Sequence, residues 1–156
     1  MRLPFARLSL LFFALVLAPL LHAQREKLPP EDLEIVEARY PKATKASTGI
    51  RYIIEREGKG RTPMSGEQVA VLYTGQLLSG TTFDKSADPT KPFIFRVGRD
   101  MVIQGWDYTV QQMRVGERRL VIIPPELAYG SRGEPPRIPR YATLVFVIEL
   151  LEIKKD

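Results

Sequence analysis

Short alternating runs of apolar and polar residues, separated by glycine and proline, fill the chain from about Thr48 onward. Val69, Val71 and Tyr73 occupy every second position, which is the period of a strand with one buried face. Residues 93–97 alternate in the same way, and so does the long run near the C-terminus. The pattern predicts strands over residues 50–55, 68–78, 81–84, 93–97, 118–123 and 142–153.

One helix is strongly indicated inside this β-rich region. Ile103, Trp106, Val110 and Met113 recur with the period of an α-helix and so form one apolar stripe. Polar residues such as Asp107 fall outside the stripe, and a glycine follows as a stop signal. The combination predicts an α+β fold in which a single short helix packs on the concave face of an antiparallel sheet.

The first 23 residues have the pattern of an export signal. Arg2 and Arg7 supply a positive start, residues 10–18 are an unbroken apolar run, and Ala23 is a small residue suited to a cleavage site. The apolar stretch of residues 8–21 is shorter than the ~20 residues that span a bilayer comfortably. We therefore expect a cleaved signal peptide over residues 1–23 and a periplasmic or secreted protein. An uncleaved membrane anchor is the alternative.

Residues 24–47 are interpreted as a linker. This segment contains Pro29, Pro30 and Pro41, mixed charges and few large apolar residues. A short helix could start at Pro30, with acidic residues in its first turn. Because the apolar content is thin, an extended tether is favoured, and the folded domain is placed at residues 48–156.

Composition removes several classes of chemistry. The chain has no Cys and no Asn, and its single histidine, His22, lies in the predicted signal peptide. The mature chain therefore excludes a Ser-His-Asp triad, a Cys-His dyad, a thiol-disulfide centre and an ordinary structural zinc site. Removal of residues 1–23 lowers the net charge from +5 to +3. Without a clustered basic face, nucleic-acid binding is not expected.

Seven collinear motifs between about residues 48 and 154 carry a resemblance. They are VLYTG at 71–75, TFD at 82–84, KPFIF at 91–95, VIQGW at 102–106, MRVGE at 113–117, PPELAYG at 124–130 and ATLVF at 142–146. Together they closely resemble the FKBP-type peptidyl-prolyl cis-trans isomerases. The resemblance implies an antiparallel half-barrel of five to six strands wrapped around one short helix, with the active site between them.

The resemblance also implies roles for individual residues. Trp106 is expected to form the floor of a proline-sized pocket, and the Tyr129 hydroxyl to donate a hydrogen bond to a substrate carbonyl. Asp84 is the ionised group at the pocket, and the Ile103 backbone N–H is a further donor. The implied catalytic residues are Tyr73, Phe83, Asp84 and Tyr129. The implied substrate-binding residues are Phe93, Phe95, Val102, Ile103, Trp106, Ile138 and Phe146.

The implied reaction suits the residues that are present. Rotation about an X-Pro bond crosses a barrier of ~18–20 kcal/mol and breaks no bond, so neither a metal nor a cofactor is required. The expected partners are proline-containing polypeptides, as in protein folding after export. The alternative function is a non-catalytic proline-peptide binding module or a holdase chaperone that uses the same pocket. Only 15 residues separate Met113 from Tyr129, which leaves no room for an inserted chaperone domain, and we expect a monomer.

The loop before the last strand departs from the family pattern. Arg137 and Ile138 stand where two aliphatic residues are common, and Glu134 stands where the family has a histidine. An arginine at the pocket mouth predicts a weaker preference for apolar residues before proline and weaker binding of macrolide inhibitors. Glu134, three residues earlier, is the expected ion-pair partner of Arg137.

Overall fold

The computed structural model describes residues 25–154, so the predicted signal peptide lies outside the described residues. Within them, two α-helices, seven strands and a 3₁₀ helix follow one another along the chain. In order they are α1 (Pro30–Arg39), β1 (Thr44–Lys45), β2 (Arg51–Arg56), β3 (Gln68–Leu77), β4 (Thr82–Ser86), β5 (Phe93–Arg96), α2 (Gln104–Val110), β6 (Arg118–Ile123), the 3₁₀ helix (Pro125–Leu127) and β7 (Leu144–Ile153). No helix among these residues combines the length and hydropathy needed to cross a bilayer.

The strands form one antiparallel sheet in the order β1-β2-β6-β7-β3-β4, with β5 also paired to β3. One edge of the ten-residue strand β3 pairs along its length with β7. Its other edge is shared, because β5 pairs with the first half, up to Val71 opposite Phe93, and β4 pairs from Tyr73 onward. Tyr73 therefore lies at the point where the strand paired with this edge of β3 changes from β5 to β4.

The predicted α+β fold is confirmed, with α2 packed against the sheet and its apolar stripe buried. Trp106, Val110 and Met113 are all in the core, together with the inward-facing residues of β3, β6 and β7. Ile103 is the N-cap residue of α2, so the stripe begins one residue before the helix. The sheet has seven strands because the two-residue strand β1 adds to β2 at one edge.

The segment predicted to be an extended tether is folded against the outer face of the sheet. Helix α1 buries Val36, which joins Leu28, Leu78, Ile122 and Val145 in a second apolar cluster. Ile122 and Val145 alternate with core residues of β6 and β7, so both faces of these two strands are covered. The prediction of an extended tether was wrong. One fully buried side chain and its flanking residues are enough to hold a helix against a sheet face that is already apolar.

Polar contacts also fasten this segment. The Glu26 carboxylate accepts two hydrogen bonds from the Arg51 guanidinium, at 3.0 and 2.9 Å, and one from Lys45 Nζ at 2.9 Å. The Arg51 guanidinium, more than any other group, holds the pKa of Glu26 well below its usual range. On α1, the Asp32 carboxylate accepts a hydrogen bond of 2.6 Å from the Thr143 hydroxyl. The N-terminal segment is therefore joined to β1 and β2 and to Thr143, the residue immediately before β7.

Candidate active site

A cleft of about 190 Å³ opens between α2 and the concave face of the sheet, at the point where β3 passes from β5 to β4. Its lining residues are Tyr73, Phe83, Asp84, Phe93, Met101, Val102, Ile103, Trp106, Tyr129 and Phe146. Nine of the eleven site residues expected from the sequence are among them, including the four assigned to catalysis. Residues from six separate parts of the chain are thus brought to one site.

Trp106 forms the floor of this cleft and is 4% exposed. Its ring meets those of Tyr73, Phe146 and Phe93 nearly edge to face, with centroids 4.9, 5.3 and 6.0 Å away. Aromatic pairs favour this arrangement, and each contributes ~0.5–1.5 kcal/mol beyond its buried area. Of the buried side-chain polar atoms within residues 25–154, Trp106 Nε1 alone has no hydrogen-bond partner. The floor is therefore an aromatic surface packed against its neighbours, with one buried N–H that has no partner.

Two of the predicted substrate-binding residues, Phe95 and Ile138, do not line the cleft. Each is 1% exposed and belongs to the core. Phe95 stacks on Phe93 at 5.7 Å and lies 5.8 Å from Trp106, so it supports the floor and wall from behind. Strand alternation correctly places Phe93 and Phe95 on one face, but only Phe93, at the strand's start, reaches the opening.

Met101 lines the cleft and was not predicted from the sequence. It lies in the loop between β5 and α2 and is mostly exposed. The sequence feature that could have indicated Met101 is its position immediately before the motif at residues 102–106, which already supplied three predicted site residues. An exposed, flexible thioether at a cleft edge can adapt to different bound side chains.

Asp107 was expected on the polar side of α2, but it is buried. Its carboxylate accepts hydrogen bonds from the backbone N–H groups of Gly98 at 2.8 Å and Asp100 at 3.3 Å. Asp100 has a φ of 53°, in the left-handed region that non-glycine residues seldom occupy. Asp107 therefore holds the loop that presents Met101, Val102 and Ile103 to the cleft.

Few polar groups stand at the cleft mouth. The Tyr73 hydroxyl donates a hydrogen bond of 2.7 Å to Asp84 Oδ2, and Asp84 Oδ1 accepts one of 2.9 Å from the Lys85 backbone N–H. Burial and, next, the hydrogen bond to Asp84 raise the pKa of Tyr73 far above its usual value. Burial and the charge of Glu134 raise the pKa of Tyr129. Both phenols are consequently neutral hydrogen-bond donors at physiological pH.

Two donors remain available to a bound molecule. The Tyr129 hydroxyl donates no hydrogen bond to any of the described residues, and this residue is 37% exposed at the rim. Ile103 precedes the first turn of α2, where backbone N–H groups have no acceptor within the helix. The cleft thus combines an aromatic floor with a small number of donors at its edge.

Comparison with known proteins identifies the family. The family model for the FKBP-type peptidyl-prolyl cis-trans isomerase matches residues 59–151, which include every residue that lines the cleft. The chain belongs to this family. This chain is 46% identical over 135 residues to the peptidyl-prolyl cis-trans isomerase FKBP4 of Mus musculus, a match that covers 86% of this chain and 28% of that protein. It is 47% identical over 107 residues to Fkbp12 of Drosophila melanogaster, covering 68% of this chain and 99% of that protein.

Solved structures agree with the family assignment. This chain superposes on the crystal structure of AtFKBP13 with a TM-score of 0.69 and 32% identity, covering 72% of this chain and 99% of the other. A peptidyl-prolyl cis-trans isomerase from Pseudomonas syringae gives a TM-score of 0.70 at 32% identity, covering 80% of this chain and 92% of the other. The FKBP-like fold is therefore shown by sequence and by structure.

Proposed function

We propose that this protein catalyses the cis–trans isomerisation of peptide bonds that precede proline in polypeptide substrates. The observation that carries the proposal is the cleft of an FKBP domain in which Trp106 forms an aromatic floor and the neutral Tyr129 hydroxyl stands unpaired at the rim. Because the chain spans 28% of the length of the FKBP4 relative, its activity is inferred from the domain and its site.

The cleft suits the physics of this reaction. Amide resonance creates the barrier of ~18–20 kcal/mol, and it is lost in the twisted transition state, where the nitrogen becomes pyramidal. An apolar site that grips the proline ring and excludes water disfavours the polar ground-state amide relative to that state. Trp106 and Phe93 supply the grip in our proposal. Each ~1.4 kcal/mol of preferential binding to the twisted state accelerates the reaction about tenfold.

The rim residues then act as donors and supports. Tyr129 donates a hydrogen bond to a substrate carbonyl, and the Ile103 N–H can donate a second. The Tyr73 hydroxyl is already bound to Asp84, so this pair orients the Tyr73 ring against Trp106 rather than binding substrate through the phenol. No covalent step or proton transfer is needed.

A protease-coupled peptide assay tests the proposal directly. We expect Tyr129→Phe to lower kcat/KM about five- to tenfold, the effect of losing one hydrogen bond of ~1–1.5 kcal/mol, with an unchanged Tm. Asp84→Ala should lower it comparably, because the Tyr73 hydroxyl loses its acceptor. Tyr108→Phe, an exposed tyrosine on α2 outside the cleft, is the matched control and should be fully active.

Three outcomes separate the alternatives. Acceleration that depends on Tyr129 and Asp84 supports the enzyme. Tight binding of a proline peptide without acceleration supports instead the binding-module or holdase interpretation. Full activity in both rim variants would show that the residue roles assigned above are wrong, even if the protein is an isomerase.

We also propose that the protein acts as a monomer on exported polypeptides in the periplasm or outside the cell, after removal of residues 1–23. The charged start, short apolar run and small residue at Ala23 support export and cleavage. Exported protein should then begin near Gln24 by N-terminal sequencing. Protein that retains Met1 and sediments with membranes would instead favour the anchored form.

A further inference from the structure

An ion pair of this chain lies beside the cleft mouth. Arg137 Nη2 and Glu134 Oε1 are 3.0 Å apart, and the two side chains are 51% and 42% exposed. The pairing expected from their spacing is thus confirmed. Because both side chains are largely exposed, their charges are available to groups that approach from solvent.

The backbone holds this pair in a defined position. The Glu134 N–H donates to the Ile138 carbonyl at 2.8 Å, and the Ile138 N–H donates to the Glu134 carbonyl at 2.9 Å. This closes a tight loop whose base is anchored by the buried Ile138 side chain. The Gly133 N–H donates to the carbonyl of Tyr129 at 3.1 Å, which ties the loop to the rim residue itself.

Both charges act on the cleft. Glu134 raises the pKa of Tyr129, and Arg137 lowers it. Arg137 acts in the same direction on the pKa of Tyr73, which also lines the cleft. Asp84 is the ionised residue that lines the cleft itself, and its charge also reaches both tyrosines. Together with the Gly133–Tyr129 backbone hydrogen bond, these interactions place the ion pair at the rim of the cleft, beside Tyr129.

We propose, on the basis of the isomerase function proposed above, that Glu134 and Arg137 form an exchangeable ion pair that admits charged residues immediately before the substrate proline. An acidic substrate side chain pairs with Arg137, and a basic one pairs with Glu134. Exposed ion pairs are weak, so either partner can be exchanged at little cost, whereas an apolar wall would leave a charged side chain desolvated and unpaired. The substrates thus include polypeptides with acidic or basic residues before proline.

The two members make opposite contributions in this proposal, and removing one unmasks the other. Glu134→Gln leaves Arg137 without its intramolecular partner, so it should favour acidic and disfavour basic substrates. Arg137→Gln leaves Glu134 free and should do the reverse. A purely structural role for the pair would instead shift all substrates together.

The test measures kcat/KM for matched peptides with Glu, Gln, Lys or Leu before proline. In Arg137→Gln, we expect the Glu-Pro to Gln-Pro ratio to fall about two- to fivefold and the Lys-Pro to Gln-Pro ratio to rise, with opposite shifts in Glu134→Gln. Both effects should shrink at high salt, because exposed charges are screened. Arg132→Gln, an exposed arginine of the same loop, is the control and should leave all ratios unchanged.

Each failure has a distinct signature. If the wild-type protein does not accelerate isomerisation of Leu-Pro, the proposed function itself is wrong. If Leu-Pro is accelerated but neither charge ratio moves in either variant, or both variants move a ratio in the same direction, the ion-pair proposal is overturned and the isomerase function stands.

Discussion

Gly75 lies near the C-terminal end of β3, and the absence of its side chain allows two cleft rings to approach the backbone. A Cβ at this position would lie 2.7 Å from Phe146 Cε1 and 2.8 Å from Phe83 Cζ. Carbon atoms in favourable contact are about 3.5–4.0 Å apart, so Gly75→Ala creates an overlap of about 1 Å with both rings. Phe146 is buried against Trp106, whereas Phe83 stands partly exposed at the rim. We therefore expect Phe83 to be displaced.

The energetic effect can be estimated from two opposing contributions. Overpacking of this kind costs ~1–3 kcal/mol. Replacing glycine within a strand recovers ~0.5–1 kcal/mol of backbone entropy. The free energy of unfolding should thus fall by up to ~2.5 kcal/mol, and the Tm by up to about 10 °C for a domain of this size. Because Phe83 lines the cleft, kcat/KM should fall as well, at temperatures where the variant is folded.

Thermal denaturation and the coupled peptide assay together check this reasoning. Gly80→Ala is the control: its φ of 93° makes alanine strained, but nothing lies within 4 Å of the added Cβ. It should lower the Tm without lowering kcat/KM. Adding Phe83→Leu to Gly75→Ala should recover part of the lost Tm, because the smaller side chain relieves the overlap. A Gly75→Ala variant with wild-type kcat/KM would refute the argument.

Three further predictions concern the floor, the N-terminal segment and pH. Trp106→Ala should lower both activity and stability, the latter by ~3–5 kcal/mol, because a large cavity replaces the buried indole; calorimetry and the peptide assay measure the two losses. Val36→Asp should lower the free energy of unfolding in urea by at least ~2 kcal/mol, whereas Ile35→Asp, one residue away on the exposed side of α1, should have little effect; equal effects would contradict the packing of α1. Glu26→Gln should destabilise the protein at pH 7. Because the folded-state pKa of Glu26 is lowered, its contribution is complete above the unfolded pKa of ~4.3 and is lost as the pH falls from there through the lowered folded-state pKa, so the Tm difference should narrow steadily below about pH 5 and close only in strong acid.

The sequence alone determined the apolar faces of β3 and α2. The alternation of Val69, Val71 and Tyr73 and the helical stripe through Trp106 and Val110 depend only on the 2.0 and 3.6 periods of the backbone. These periods connect residues that are neighbours along the chain, and the structure confirms both. The spacing of Glu134 and Arg137 is equally local, which is why their pairing could also be predicted.

Only the tertiary structure decided how deep each residue lies on its face and which distant groups meet. Phe93 and Phe95 share a face, yet one lines the cleft and the other supports it. Asp107 is buried because a loop seven to nine residues earlier folds over α2 and supplies N–H donors to its carboxylate. The packing of α1 could not be predicted from the sequence, because Val36 is buried by residues of β6 and β7, which lie in the other half of the chain. Periodicity reports the direction of a side chain from its own element, whereas burial and pairing depend on what other elements place opposite it.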